Sequence, residues 1–177
     1  MSAAAVLNWP RQDKGGKFSG MNNSNNGSIF QVNVSNGGVP KLAVRQALLT
    51  PLGLIGDRQR NTEVHGGPER AVCLYSLERI QALQAEGHPI YPGSAGENLT
   101  LVGLDWEQVK PGTRLQVGKE VVLEITRYTT PCDNLTESFI DGYFNRIHPS
   151  KYPGWARLYA KVIKTGEIRV GDRVTIE

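Results

Sequence analysis

Only two cysteines occur in this chain, at positions 73 and 132, and they do not form a C-x-x-C pair. A disulfide framework, a zinc ribbon and a thioredoxin-type redox motif are therefore excluded. No window approaches the roughly 20 consecutive apolar residues that a membrane span needs. The first residues, MSAAAVLNWPRQDKGG, lack the continuous apolar centre of a secretory leader. A reducing, cytoplasmic setting is the expectation, and the sequons at Asn98 and Asn134 carry little meaning there. Lys and Arg never cluster densely, and the formal net charge is only +3. That leaves no electrostatic footprint for nucleic acid, although a mild preference for anions is allowed. There is no G-x-S-x-G, phosphate-binding Walker loop or dinucleotide fingerprint. His88 and His148 each precede a proline, without metal-ligand spacing to another His or Cys, and read as structural or solvated.

What the chain has is turn residues and short alternating runs. Glycine occurs 20 times and proline 10 times. Residues 1–28 are polar and aperiodic, ending in MNNSNNGS, and read as a flexible extension. Met21 is a second candidate start within it. Residues 29–177 read as one domain. IFQVNVS (29–35) alternates, setting Phe30, Val32 and Val34 against Ile29, Gln31 and Asn33. Residues 43–50 read as extended, 53–70 as a Gly-rich polar loop, and AVCLYS (71–76) as a short buried strand. Ser76 then caps a helix carrying Leu77, Ile80 and Leu83, closed at Gly87. Residues 98–104, RLQV (114–117), VVLEITRY (121–128) and the C-terminal segment read as further strands. Leu135, Phe139, Tyr143 and Ile147 recur every four residues and predict a second helix. Short strands without β-α-β alternation predict a mostly β protein. The expected form is a bent-sheet β-barrel with two or three packed α-helices, an α+β arrangement.

Three segments carry candidate chemistry. In TTPCDNL (129–135), Asn134 and Glu137 have capping-box spacing, which places Cys132 just before a helix start. The helix dipole and Arg127 would favour a thiolate there, Asp133 opposes it, and Pro131 stiffens the approach. Spacing alone leaves Cys132 balanced between packing and chemistry, whereas Cys73, between Val72 and Leu74, reads as a core residue. VHGGPER (64–70) combines His65, Gly66, Gly67 and Arg70, with Asp57, Arg58 and Arg60 just upstream. It can form a phosphate or carboxylate cradle or simply face water. SAGENL (94–99) offers Glu97 and Asn98 to a ligand or to a turn.

Taken in order, GLIGDR (53–58), HGGPERAVCLYS (65–76), GSAGENLTLVGLDW (93–106), PGTRLQVG (111–118), VVLEITRYTTPCDNL (121–135) and GEIRVGDRV (166–174) resemble the MOSC domain. This module ends molybdenum-cofactor sulfurases and also stands alone in bacteria. The resemblance covers about residues 29–177. It implies a MOSC-like barrel that binds the pterin-based molybdenum cofactor (molybdopterin). It also implies that Cys132, matching the family cysteine, carries a persulfide or ligates molybdenum. By the same resemblance Arg58, His65, Gly66, Gly67, Arg70 and Asn98 bind the cofactor, with Ser35, Thr129 and Thr130 as lesser matches. Pyridoxal phosphate belongs to the desulfurase domain of the large family members, for which 177 residues leave no room. The resemblance thus implies either sulfur carrying, with sulfur from a partner such as a cysteine desulfurase, or support of cofactor-dependent N-oxide reduction, with electrons from a redox partner. Two other readings stand beside this one: a non-catalytic barrel for an anionic small molecule, and a cysteine hydrolase pairing Cys132 with His65 and Asp57.

Overall fold

A computed structural model describes residues 25–58 and 66–177. The strands are β1 (Asn26–Val34), β2 (Leu42–Val44), β3 (Gln46–Thr50), β4 (Gly53–Leu54), β5 (Val72–Ser76), β6 (Leu99–Val102), β7 (Arg114–Val117), β8 (Val121–Tyr128), β9 (Leu158–Lys164), β10 (Gly166–Arg169) and β11 (Arg173–Ile176). The main sheet runs β11-β7-β8-β9-β5-β6-β1-β2, and β1 also pairs with β11. That extra pairing closes seven strands into a barrel, with β2 appended to β1. Strands β10, β3 and β4 form a separate small sheet. The expected mostly β barrel is what the chain adopts.

Closure depends on β1, which serves three neighbours. Asn26–Ser28 pair with β11, Ser28–Val32 with β6, and Val32–Val34 with β2. A register shift between Ile29 and Gln31 leaves Phe30 as a bulge. The bulge bends the strand and reverses its alternation. Ile29 and Val32 are both buried, while Phe30 is 40% exposed. Strict alternation over 29–35 is therefore broken at Phe30, because one inserted residue exchanges inside for outside. The strand also begins at Asn26, ahead of the alternating run.

Strand β8 follows its pattern: Val121, Leu123 and Ile125 point inward and are buried. They meet Leu115, Val117, Leu158, Ala160, Leu99 and Leu101 in one core. In β5 all five residues are buried, because the barrel lies on one side and α1 on the other. Helix α1 (Leu77–Ala85) links β5 to the parallel strand β6. Ser76 caps it by accepting from the Arg79 N–H at 3.3 Å, and Leu77, Ile80 and Leu83 are its buried face.

The second predicted helix is absent in α form. Residues 133–147 make three short 3-10 segments, Asp133–Ser138, Ile140–Gly142 and Phe144–Ile147. Asp141 (φ 53°) and Gly142 (φ 66°) both lie in the left-handed region, which ends any continuous right-handed helix. Leu135, Phe139 and Ile147 are buried as their spacing implies, but Tyr143 is 46% exposed. Among the described residues α1 is thus the one regular α-helix, with 3-10 segments in place of the others. None of these helices is long and apolar enough to cross a membrane.

Leu123 lies fully buried at the centre of the barrel. Leu123→Ala is expected to lower unfolding stability by about 2–5 kcal/mol in urea titration. A loss under about 1 kcal/mol would mean that the barrel core collapses around the deletion, contrary to this packing.

Candidate functional site

One end of the barrel gathers four connections: residues 35–41 after β1, 55–58 after β4, 93–98 before β6, and 129–135 after β8. They enclose a cavity of about 80 Å³. Gly38, Val39, Lys41, Arg58, Gly96, Asn98, Cys132, Asn134 and Leu135 line it from the loops, and Cys73, Arg157 and Tyr159 line it from strands β5 and β9 and their approach. A wider groove of about 420 Å³ adjoins it, sharing Gly38, Val39 and Asn134.

A carboxylate joins these loops. Asp57 Oδ2 receives the Lys41 ammonium, and both side chains are buried. The same oxygen accepts from Asn98 Nδ2 at 2.8 Å, and Asp57 Oδ1 accepts from the Ser35 N–H at 2.8 Å. Asn98 also donates to the Asn33 carbonyl at 3.2 Å. Its backbone N–H and side-chain oxygen both engage Cys73, donating to the Cys73 carbonyl (2.7 Å) and accepting from the Cys73 N–H (3.1 Å). Asn98 thereby ties β5, β1 and the Asp57 loop together. Ser35 Oγ adds a contact to the Arg58 carbonyl at 3.4 Å and accepts from the Gly37 N–H at 3.3 Å.

Glycine makes a close approach possible in the loop before β6. Gly96 has φ 77°, and a Cβ there would lie 2.9 Å from Val39 and 3.8 Å from Arg157 Nη1. Arg157 Nη1 donates to the Ala95 carbonyl. Beside it, Glu97 is fully buried. Its Oε1 accepts from the Gly93 N–H (2.7 Å) and the Thr100 hydroxyl (2.9 Å), while Oε2 has no partner. Burial pushes the Glu97 carboxyl above the ordinary carboxylate range, against the pull of those hydrogen bonds and of Arg157.

The two cysteines differ. Cys132 occupies the N-cap position of the first 3-10 segment in extended backbone (φ −132°, ψ 174°), with its carbonyl accepting from the Leu135 N–H. No side chain caps this segment. The capping box of Asn134 and Glu137 and the α-helix dipole behind Cys132 are therefore corrected: Phe139 in extended backbone (φ −133°, ψ 140°) ends the segment as a six-residue 3-10 turn. Arg127 is exposed and lies outside the cavity lining. What presents Cys132 is the loop itself, which leaves it half-buried and facing the cavity. Cys73 is 4% exposed, and burial pushes its thiol up to about 11, only partly offset by Arg157.

Of the residues singled out from sequence, Cys132, Arg58 and Asn98 line one cavity. Ser35 stands behind it as a latch on the Asp57 loop. Gly66 and Gly67 lead into a 3-10 turn (Pro68–Arg70) outside the lining, with Gly67 at φ 91°. Arg70 is also outside, although its charge acts on Tyr159. Thr129 is buried, its N–H donating to the Arg157 carbonyl (2.9 Å), and Thr130 is exposed. His65 and Arg60 fall outside the described residues, so the hydrolase pairing of Cys132 with His65 does too. The other two histidines stand away from Cys132: His88 accepts from the Ile140 N–H and His148 contacts Ser150. Lys41, Arg157 and Tyr159 were not singled out. Nothing local marks them, since a lysine after a proline and an arginine before a strand are ordinary surface patterns. No cluster of three His, Cys, Asp or Glu that could hold a metal occurs among the described residues.

The sequence profile of the MOSC domain matches residues 61–175. The chain belongs to the MOSC domain family. Protein YiiM of Escherichia coli (strain K12) is 33% identical over 128 residues, covering 70% of this chain and 55% of that protein. The uncharacterized protein YflK of Bacillus subtilis (strain 168) is 30% identical over 122 residues, 68% of this chain and 54% of its own length. A protein named reductase from Gibberella moniliformis is 31% identical over 128 residues, which is 70% of this chain and 22% of the fungal one. This MOSC chain thus spans about half the length of the two bacterial relatives. The crystal structure of YiiM from Geobacillus stearothermophilus superposes with a TM-score of 0.68 at 21% identity, over 85% of this chain and 75% of that one. That of YiiM from Escherichia coli superposes with 0.65 at 23% identity, over 86% and 69%. These likenesses establish the shared fold.

Two outcomes follow from the site geometry. Asp57→Asn leaves the Lys41 ammonium buried without a counter-charge and is expected to cost about 3–5 kcal/mol in urea titration, with Lys41→Met on that background restoring much of it. A single-variant loss below about 1 kcal/mol would place this pair among solvated contacts. At neutral pH iodoacetamide is expected to label Cys132 in the folded protein and Cys73 only after denaturation, read by peptide mass spectrometry. Equal labelling would contradict the burial of Cys73.

Proposed function

We propose that this MOSC domain binds the pterin-based molybdenum cofactor, with the Cys132 thiol turned toward the metal. The observation that carries the reading is a half-buried thiol opening onto a cavity that three cationic side chains, Lys41, Arg58 and Arg157, also line. A thiolate is a soft metal ligand and a sulfur nucleophile. Guanidinium groups suit the oxygen-rich, anionic parts of such a ligand. The residues present therefore fit the group in kind. They fit in size at its compact end, and the adjoining groove leaves room beyond Gly38 and Val39 for a larger body.

When bound, the cofactor supplies a redox-active metal that exchanges oxygen or sulfur with substrates. The residues of this chain do the rest. Cys132 offers Sγ to the metal or to a transferred sulfur. Arg58 balances negative charge at the exposed rim. The Lys41–Asp57–Asn98 cluster holds the loops in place, and burial pushes the Cys73 thiol up to about 11, which disfavours the thiolate that sulfur exchange needs. A reducing role, which would need an outside electron donor, draws on the relative named reductase, of which the match covers 22%. A sulfur-carrying role would draw instead on a donor such as a cysteine desulfurase. An anion-binding barrel without catalysis is the second reading, favoured by the excess of cations around the cavity.

Expression in a cell that makes the cofactor tests these readings. Molybdenum by elemental analysis and pterin by fluorescence are expected with the wild type, to be strongly reduced in Cys132→Ser, and to be retained in Arg169→Gln, an exposed position outside both linings. Intact mass separates the two roles of Cys132, since a carrier gains a sulfur atom that Cys132→Ser does not. Wild type free of both molybdenum and pterin would overturn cofactor binding and leave the anion-binding barrel.

A further inference from the structure

Residues 133–147 follow Cys132 directly, and the first six of them line its cavity or the adjoining groove. Two contacts clasp this segment to the end of α1. The helix closes in a Schellman turn: the Gly87 N–H donates to the Gln84 carbonyl at 2.9 Å and the His88 N–H to the Leu83 carbonyl at 3.0 Å, with Gly87 at φ 94°. That turn sets His88 against the segment. Its ring packs edge-on to Phe139 with centroids 5.1 Å apart, and its side chain is only 9% exposed. Its Nδ1 accepts from the Ile140 N–H at 3.1 Å. The approach is close, since a Cβ on Gly87 would lie 3.2 Å from Ile140 Cδ1. The second clasp is Glu86, whose carboxylate accepts from Arg146 Nε at 2.8 Å and Nη2 at 2.6 Å.

The two clasps differ in what a proton does to them. A ring nitrogen that accepts a hydrogen bond carries no proton, so acceptance at Nδ1 requires the neutral Nε2–H tautomer of His88. Protonation turns Nδ1 into a donor that faces another donor, the Ile140 N–H, and that hydrogen bond is lost. The charged groups facing the ring are Glu86, whose Oε2 lies 3.7 Å from Nε2, and Arg146, which already engages both oxygens of that carboxylate. Histidine is the side chain that ordinarily changes charge between about pH 5 and 8. The His88–Ile140 contact is therefore present while the imidazole is neutral and is lost as pH falls through its titration. The Glu86–Arg146 pair does not involve the imidazole.

We infer that His88 is a pH-sensitive latch: neutral, it pins residues 139–142 to the end of α1, and protonated, it releases them and loosens the segment that begins at Cys132. The latch acts on this segment whatever the cavity binds.

The test uses the full chain without added ligand, followed by nitrogen-15 NMR from about pH 7.5 to 5.0. At the upper pH the His88 ring is expected to show an unprotonated Nδ1, and on titration the Ile140 amide should shift with the same midpoint as the ring. Hydrogen-exchange protection of the Ile140 amide, corrected for intrinsic exchange, should fall roughly three- to tenfold across that range, the size of one hydrogen bond. His88→Asn puts an amide oxygen in place of Nδ1 and cannot titrate, so its protection should stay level. Alkylation rates of Cys132 are compared between the two proteins at each pH, because their ratio cancels the shared pH dependence of the thiol. Wild type over variant should be close to unity at the upper pH and rise at least about twofold at the lower, as local opening requires. Near-UV circular dichroism checks folding, and if His88→Asn does not fold, the wild-type titration decides alone. A protonated Nδ1 at neutral pH, an Ile140 amide indifferent to the His88 titration, the same loss of protection in folded His88→Asn, or an alkylation ratio that does not change with pH would overturn the latch.

Discussion

The carboxylate of Asp57 is the point on which the working end of this protein depends. It sits in the loop after β4, where the loop after β1 and the loop before β6 converge on it, and it holds Lys41 and the Ser35 N–H from the first and Asn98 from the second. Without it, Lys41 would be a lone ammonium in a buried position and Asn98 would lose the contact that ties β5 to the loops. A buried carboxylate with charge-assisted and amide donors on both oxygens is directional in a way that apolar packing is not. It sets which loops meet, and so which side chains share the cavity.

Around that point the barrel divides its labour. The strand interiors supply stability through Leu99, Leu101, Leu115, Leu123, Ile125 and Leu158, all fully or nearly buried. The loops supply chemistry, because their backbones are free to place polar groups at the rim. Cys132 owes its position to this division. It stands on a loop that begins at the end of β8, half-buried, and shares a cavity lining with Lys41, Arg58 and Arg157. Cys73 is on the strand below, where desolvation holds its proton. Two thiols bordering one space thus differ in burial, Cys73 being buried and Cys132 half-buried.

Much of the frame was legible before any coordinates. Alternation located β8, Ser76 and Gly87 bracketed α1, and the ordered glycine-rich motifs pointed to the MOSC family. The failures share a cause. The Phe30 bulge, the left-handed turn at Asp141 and Gly142, and the missing capping box behind Cys132 are local backbone departures that side-chain periodicity does not encode. Tertiary pairing imposes them: β1 must bend to serve three partners, and residues 133–147 must cover one end of the barrel.

The sequence by itself determined a β-rich domain, its family, and Cys132 as the thiol to watch, because these rest on residue order and on period-two patterning. Only the tertiary structure decided that Lys41, Arg58 and Arg157 surround that thiol and that Cys73 lies beneath it. Those residues are far apart along the chain, and barrel closure brings them together through strand pairings that no local pattern specifies.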